Sequence, residues 1–232
     1  MKTFITQPTY LPWIGIFKAI EYCDNFVFYD DVQFERKSWQ NRNRILNKSN
    51  GDFLSLTIPV SKQPQKTKIK DIRIANSNFY EDHIKKIKNN YSSTQFLKEV
   101  ISLLESMYSK KYILLVDLTT ELIKGISSYI GIKSNFYYSH NFKITGDLYC
   151  RPLKFAQELK TTEYLTQVGT KEYTNVKNYN KCKIEVTFLD FEHPVYRQQR
   201  LPFTPLLSII DLLINVGPDE TRRIIKNIKL KK

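Results

Sequence analysis

Two side chains near the C-terminal end of the sequence have the chemistry needed for proton transfer. His193 and Tyr196 lie in the segment FEHPVYRQQ, which follows the last predicted strand and contains a rigid proline. A base that emerges at a strand end can take a proton from an amine or hydroxyl nucleophile, so both residues are candidate catalytic groups. The position is also compatible with a structural histidine whose hydrogen bonds are satisfied inside the fold, and both interpretations stay open.

The segment KSWQNRNRI combines guanidinium, amide and indole groups. Arg42 and Arg44 can each bind a phosphate through two parallel hydrogen bonds, and the intervening amides suit a sugar or a base edge. The indole of Trp39 can pack against such a ring. The pattern predicts that Trp39, Asn41, Arg42 and Asn43 bind a phosphorylated substrate, with Arg42 at the phosphate. A surface strand with alternating charge is the competing interpretation.

The N-terminal segment QPTYLPW is dense in amides, aromatic rings and prolines. It connects a predicted strand, Thr3–Thr6, to a predicted helix, Ile14–Tyr22. In a right-handed βαβ unit this connection lies at the sheet edge where ligands bind, and Asp30 and Asp31 end the next strand at the same edge. We therefore predict a single cleft, formed by Gln7, Tyr10, Trp13, Asp30, Gln33, Trp39, Asn41 and Arg42.

The two adjacent carboxylates have more than one chemical use. Asp30 is a third candidate catalytic residue, and Asp31 is a candidate binding residue. As a pair they can hold a divalent ion over a diphosphate, but acids at a strand end also cap the following turn.

Several common catalytic devices are absent from the sequence. The three histidines are remote from one another, and the three cysteines have neither metal-site spacing nor the even number of a disulfide framework. The sequence lacks a P-loop, a dinucleotide fingerprint and a G-x-S-x-G motif. We expect no metal and no tightly bound cofactor, with a nucleotide-linked sugar or ATP entering as a substrate.

Strands and helices alternate along most of the chain. The second strand is predicted at Asn25–Asp30, and later segments predict strands in NFYYSH, EYLTQV and IEVTFLDF and a helix in PLKFAQEL. This alternation predicts an α/β fold with a mostly parallel, Rossmann-like sheet, flanking helices and an inserted helical segment over about 76–131. We predict that residues 1–232 form one domain.

Three other segments make more detailed predictions. DFLSLTIPV and KIKDIRI both resemble strands, which predicts a hairpin that carries basic residues. Ser77 is the predicted N-cap of the first inserted helix. The chain is expected to finish with two short helices separated at Gly217-Pro218.

The segment LSIIDLLINVG is expected to be mainly architectural. Its Asp211 and Asn215 should share a helix face away from the apolar one, and Asp211 is a candidate binding residue if it holds the site in place. Apolar residues at helical spacing should pack on the sheet, namely Leu206, Ile209, Ile210, Leu213 and Ile214.

Composition and charge limit the class of protein. The chain has 232 residues, of which 41% are hydrophobic, so it is not intrinsically disordered. Its net charge of +13 comes entirely from 33–73 and 222–232. Such a basic face can bind aminoacyl-tRNA or another polyanion, although a biased composition also produces it. The sequence has no signal peptide and no apolar run long enough for a membrane span, which predicts a cytoplasmic protein.

Four segments resemble one family of proteins over nearly the whole chain. QPTYLPWIGIF, DNFVFYDDVQFERKSWQNRNRI, HPVYRQ and LSIIDLLINVG are similar to the WbqC-like family, found among bacterial genes for O-antigen and other surface polysaccharides. The family's S-G-x-x-G-x-x-Y segment corresponds to TQVGTKEY here. This segment keeps Gly169 and Tyr173 but not the first Ser-Gly, so the backbone anion cradle expected there is not supported.

The resemblance implies a transferase of lipopolysaccharide biosynthesis that attaches glycine or another amino acid to an amino sugar. The acceptor would be a nucleotide-linked or lipid-linked sugar. Two other classes remain open: an ATP-dependent amino-acid-activating enzyme, since PWIGIF occupies the slot of the nucleotidyltransferase signature without its histidines, and a non-catalytic scaffold. Pyrophosphate release with ATP and glycine would identify the activating enzyme, and tight partner binding without turnover would identify the scaffold.

Overall fold

The structure is a computed structural model that describes residues 1–229. Its strands are β1 (Lys2–Thr6), β2 (Asn25–Phe28), β3 (Arg42–Leu46), β4 (Phe53–Thr57), β5 (Asn135–Tyr138), β6 (Glu163–Gln167) and β7 (Glu185–Leu189). Its helices are α1 (Ile14–Tyr22), α2 (Phe79–Asn90), α3 (Leu97–Tyr108), α4 (Leu115–Tyr129), α5 (Arg151–Glu158), α6 (Val176–Lys181) and α7 (Ile209–Asn227).

Five strands form a parallel sheet in the order β5-β2-β1-β6-β7. From β1 the chain crosses through α1 to β2 on one side, and from β6 it crosses through α6 to β7 on the other. The direction of crossing therefore reverses between β1 and β6. Ligands of doubly wound sheets bind beyond the carboxyl ends of the strands at this reversal point. The predicted Rossmann-like α/β fold is confirmed.

Both faces of the sheet are covered by helices. Alternate residues of a strand point to opposite faces, so Phe4 and Phe26 pack on one side while Ile5 and Val27 pack on the other. The first side holds the larger core, shared with α1, α7 and the three central helices α2, α3 and α4. The second side is covered by α5 and α6. Burial on both faces explains the continuous apolar runs in β1 and β2.

The inserted segment is helical as predicted, since α2, α3 and α4 occupy it. Its first helix begins one residue later than expected, with Asn78 at the N-cap position. The hydroxyl of Ser77 donates to the Asn78 side chain instead of accepting from a backbone N–H of the first turn. Ser77 is therefore not the N-cap.

The basic hairpin pairs different segments from those predicted. The segment DFLSLTIPV contains β4, which pairs antiparallel with the preceding strand β3 and not with KIKDIRI; β3 contains Arg42 and Arg44. The segment KIKDIRI instead contains a short 3₁₀ turn, Ile69–Asp71. Ile69 and Ile72 are both buried, and this spacing of three buries them on one side of a helical turn, not on one face of a strand.

The C-terminal helical region bends where the sequence predicted. Gly217 adopts φ 79° inside α7, and Pro218 follows it, so the two halves of α7 meet at a break. A Cβ at Gly217 would lie 2.6 Å from the Phe96 ring, which restricts this position to glycine. Leu206 does not pack on the sheet as expected, because α7 begins only at Ile209 and Leu206 is 54% exposed.

Within residues 1–229, no helix combines the length and the apolar character needed to cross a membrane.

Candidate functional site

A cleft of about 650 Å³ opens at the carboxyl ends of the central strands. Thr6 and Gln7 reach it from the end of β1, Tyr29 from the end of β2, and Thr166 and Gln167 from the end of β6. The cleft therefore lies at the reversal point between β1 and β6, where this class of sheet binds its ligands.

Aromatic rings form much of the cleft wall. Tyr149 and Tyr173 stack on each other with ring centroids 5.3 Å apart, although they are 61% and 56% exposed. Trp39 is 46% exposed, and Trp13 lies deeper in the same cleft. Both tryptophans of the chain thus line one cavity. Exposed rings held at a cavity mouth provide flat apolar faces for a sugar or a base.

The ring of Trp13 packs closely against two residues. His193 stacks against it, with centroids 6.2 Å apart and the planes inclined by 17°. A Cβ at Gly15 would fall 2.3 Å from the indole. Glycine at this position leaves the space that the indole occupies, so the PWIG sequence shapes the cleft floor.

Two glutamines connect the first loop to the segment around Trp39. The amide nitrogen of Gln40 donates to Gln7 Oε1 at 2.8 Å, and Gln40 Oε1 accepts from the backbone N–H of Glu35 at 3.0 Å. This arrangement leaves the amide N–H groups of Gln7 without a partner among residues 1–229. The hydroxyl of Thr9, another cleft residue, is buried and also has no partner there. Of these two groups, the Gln7 amide is the one that a ligand in the cleft can reach.

Asn43 and Asn41 hold the backbone in place. Asn43 lines the cleft, but its amide nitrogen donates to the carbonyl oxygens of Tyr10 and Leu11 at 3.0 and 2.8 Å. Asn41 is buried and donates to the carbonyl of Ile58. The Leu11 carbonyl also accepts from the Ser208 hydroxyl at 2.7 Å. The amides of KSWQNRNRI thus support a loop in which Leu11 has φ 41°.

Tyr10 does not reach the cleft, contrary to the prediction. Its side chain is fully buried, and its hydroxyl contacts His83 Nδ1 at 2.8 Å and the Tyr108 hydroxyl. Burial lowers the pKa of His83 to about 4, so this histidine is neutral and its Nδ1 can accept a hydrogen bond from the Tyr10 hydroxyl. Sequence reasoning missed the group because its three members come from separate parts of the chain.

Asp30 and Asp31 follow the carboxyl end of β2 but do not line the cleft. Asp30 is fully buried and binds the Ser139 hydroxyl at 2.9 Å and the ring nitrogen Nδ1 of His140. Asp31 forms an ion pair with the buried Arg151. These contacts join β2 to the end of β5 and to α5. Within residues 1–229, no group of three or more His, Cys, Asp or Glu side chains is arranged to hold a metal ion.

His193 and Tyr196 stand behind the cleft wall. His193 Nε2 accepts from the backbone N–H of Leu206 at 3.1 Å, so Nδ1 carries the proton and donates to the carbonyl of Pro194 at 2.9 Å. Burial also lowers the pKa of His193. The Tyr196 hydroxyl donates to Asp211 at 2.8 Å. In this arrangement neither residue is free to take a proton from a substrate. The contacts differ from those expected of catalytic groups and match the alternative of a structural histidine whose hydrogen bonds are satisfied inside the fold.

Asp211 is the acceptor at the centre of a buried network. It accepts from the hydroxyls of Tyr91 and Tyr196 at 2.7 and 2.8 Å and from the Gln198 amide at 2.9 Å. Burial raises the pKa of Asp211, while these three donors oppose the rise. Asn215 donates to the Asp211 carbonyl oxygen. Asp211 therefore holds the segment behind Trp13 and does not contact the cleft.

Gln33, Arg42 and Arg44 lie around the cleft without lining it. Gln33 borders a second cavity of about 550 Å³, which also contains Arg36. Arg42 begins β3. The guanidinium of Arg44 lies 5.0 Å from the Trp39 ring centroid and 4.0 Å from that of Phe53. Of the eight residues predicted to converge, the cleft lining includes Gln7, Trp13 and Trp39.

The charge of the lining contrasts with the charge of the protein. The chain has 36 Lys and Arg residues, yet none of them is among the described residues that line the cleft. Glu35 is the single carboxylate in that lining. Sequence reasoning missed Glu35 and Tyr149. The TQVGTKEY segment, which contains four lining residues, was the signal that could have located this wall.

Comparisons with known proteins agree with the resemblance in the sequence. The model of the WbqC-like protein family matches residues 7–223. The uncharacterized protein Rv1507c of Mycobacterium tuberculosis (strain ATCC 25618 / H37Rv) is 30% identical over 221 residues, which cover 94% of this chain and 95% of that protein. A search of solved structures finds no match. The chain belongs to the WbqC-like protein family.

Proposed function

We propose that the protein is a transferase of bacterial O-antigen or surface-polysaccharide biosynthesis. It attaches glycine or another aminoacyl group to the amine of a nucleotide-linked or lipid-linked amino sugar. The observation that carries the proposal is the aromatic cleft at the reversal point between β1 and β6, in a chain of this family. Its size and its mixture of flat rings with a few polar groups suit a sugar-sized ligand.

The cleft has groups that match the two faces of a sugar. The stacked rings of Tyr149 and Tyr173 can cover the apolar C–H face, as can the exposed indole of Trp39. The free amide N–H groups of Gln7 can bond to sugar hydroxyls, which no apolar ligand would satisfy.

The reaction requires little specialised chemistry from the protein. The sugar ammonium first loses a proton to solvent. The free amine then attacks the acyl carbonyl, an amide C–N bond forms, the bond to the leaving group breaks, and the second amine proton passes to solvent or the leaving group. The protein contributes mainly by holding the amine beside the activated acyl group, which by itself lowers the barrier substantially. The free Gln7 amide is suitable for stabilising the tetrahedral oxyanion.

The acyl donor is proposed to approach from the basic side of the cleft. The hairpin formed by β3 and β4 carries part of the excess positive charge of 33–73, and an aminoacyl-tRNA or another polyanion can bind there. The second basic segment of the chain is 222–232, of which 230–232 are outside the described residues. The alternative of ATP-dependent activation is less well supported, because a triphosphate in the cleft would meet no cationic side chain from residues 1–229.

A transfer assay tests the proposal. The protein is incubated with a set of nucleotide-linked amino sugars and with glycyl-tRNA, with and without ATP, and products are identified by mass spectrometry. We expect a product heavier by one glycyl residue that forms without ATP when charged tRNA is present. Pyrophosphate release with ATP and free glycine would instead support the activating enzyme, and no product with any donor would reject the transferase.

A further inference from the structure

The electrostatic asymmetry of the cleft predicts how its ligand is oriented. None of the described lining residues is a lysine or arginine, although the net charge of the chain is +13. A phosphate placed inside would lose its hydration and meet hydroxyls, amides, apolar side chains and the Glu35 carboxylate, but no cation from the described lining residues. Because a buried anion without a cationic partner is strongly unfavourable, the interior favours a neutral or positively charged group.

Glu35 can bind such a positive charge. Its backbone is held on both sides, since its N–H donates to Gln40 Oε1 at 3.0 Å and its carbonyl accepts from the Ser38 hydroxyl at 2.7 Å. Its side chain is exposed, borders both the cleft and the second cavity, and forms no ion pair with the described part of the chain. The carboxylate is therefore free to receive a cation from the ligand.

Arg44 provides the opposite charge outside the cleft. Its guanidinium is held between the exposed rings of Trp39 and Phe53 and forms no ion pair within residues 1–229. Trp39 lines the cleft and its ring contacts Arg44, which is not itself a lining residue, so Arg44 stands at the rim. An arginine fixed by aromatic rings loses little side-chain freedom when it binds a phosphate.

We infer that the amino sugar enters the cleft ring first, with its ammonium group at Glu35 and the phosphates of its carrier at the rim beside Arg44. This inference rests on the proposed function, and it adds the substrate feature that is recognised: a free ammonium on the sugar. Glu35 is here a specificity-determining residue. An N-acetylated sugar on the same carrier has no positive charge to offer it and should bind more weakly than the free amino sugar, whereas a glycylated product has its ammonium on the glycine and no longer on the sugar ring.

Binding of matched nucleotide sugars tests the inference. By calorimetry, the wild type should bind UDP-glucosamine, which has the ammonium, about tenfold or more tighter than UDP-N-acetylglucosamine, as expected for one charge-assisted contact. Glu35→Gln should reduce this ratio to near one. Arg44→Ala should weaken both ligands by a similar factor and keep the ratio. Glu185→Gln, at the amino end of β7 and away from the cleft, is a control that should change neither.

Several results would overturn the inference. Equal affinity of the wild type for the two sugars would do so, as would a preference that survives Glu35→Gln, or failure of both ligands to bind at millimolar concentration. Thermal unfolding of each variant verifies that it is folded. Transfer is measured separately by product mass, so a product formed without any ammonium preference rejects only this inference. An intact preference without product counts against the transferase alone.

Discussion

Replacing Asp211 with alanine is expected to lower the free energy of unfolding by about 3–5 kcal/mol, because it leaves several buried donors without an acceptor. Asp211 is fully buried and accepts hydrogen bonds from Tyr91, Tyr196 and Gln198. Urea denaturation at neutral pH measures the change. Tyr196→Phe, which removes one donor and keeps the acceptor, should cost only about 1 kcal/mol.

Asp211→Ala should also weaken ligand binding in the cleft. Gln198 bonds both Asp211 and the carbonyl of Thr204, and the segment that follows places Leu206 against His193 and in the cleft wall. We expect Asp211→Ala to reduce ligand affinity under conditions where the variant is still folded. A loss of less than about 1 kcal/mol in stability would show that the network is not the support described here.

Mild acid is expected to destabilise the protein through His83. Burial lowers the pKa of His83 from 6.5 to about 4, so below pH 6.5 the unfolded state binds a proton that the folded state does not. Stability is therefore retained above pH 6.5 and lost progressively as the pH falls toward 4. A pKa difference of this size corresponds to about 3 kcal/mol.

The comparison with His83→Gln isolates this contribution. Glutamine does not titrate in this range, so the free energy of unfolding of the variant should depend less steeply on pH between 6.5 and 4. Denaturant unfolding at a series of pH values measures both curves. Parallel curves for the two proteins would mean that His83 is not held neutral by burial beside Tyr10.

The central sheet could be predicted because its signal is local. Phe4 and Phe26 lie in short apolar runs between polar turns, which is typical of buried parallel strands. The hairpin partner was predicted wrongly because the apolar residues of KIKDIRI match a strand as well as a helical turn. Contact of Ile69 and Ile72 with the core decides between the two, and no short segment contains that information.

The site could be predicted only in part, for a physical reason. Gln7 and Trp13 were located because βαβ geometry places the first loop at the ligand edge. Tyr149 and Glu35 belong to loops without periodicity, and only the packing of distant elements brings them to the cleft. Asn43 was predicted to bind the substrate, but its amide donates to buried carbonyls of its own chain. The sequence alone does not distinguish these two uses of a polar side chain.

The central claim is that the substrate binds in the cleft between β1 and β6, and tryptophan fluorescence tests it most directly. Both tryptophans of the chain, Trp13 and Trp39, line that cleft, so the emission of the unlabelled protein reports on its occupancy. Titration with a nucleotide-linked amino sugar should change the emission with the same dissociation constant that calorimetry gives, and the change should shrink in Trp39→Phe. Calorimetric binding that leaves the emission of both tryptophans unchanged would place the substrate elsewhere and contradict the account.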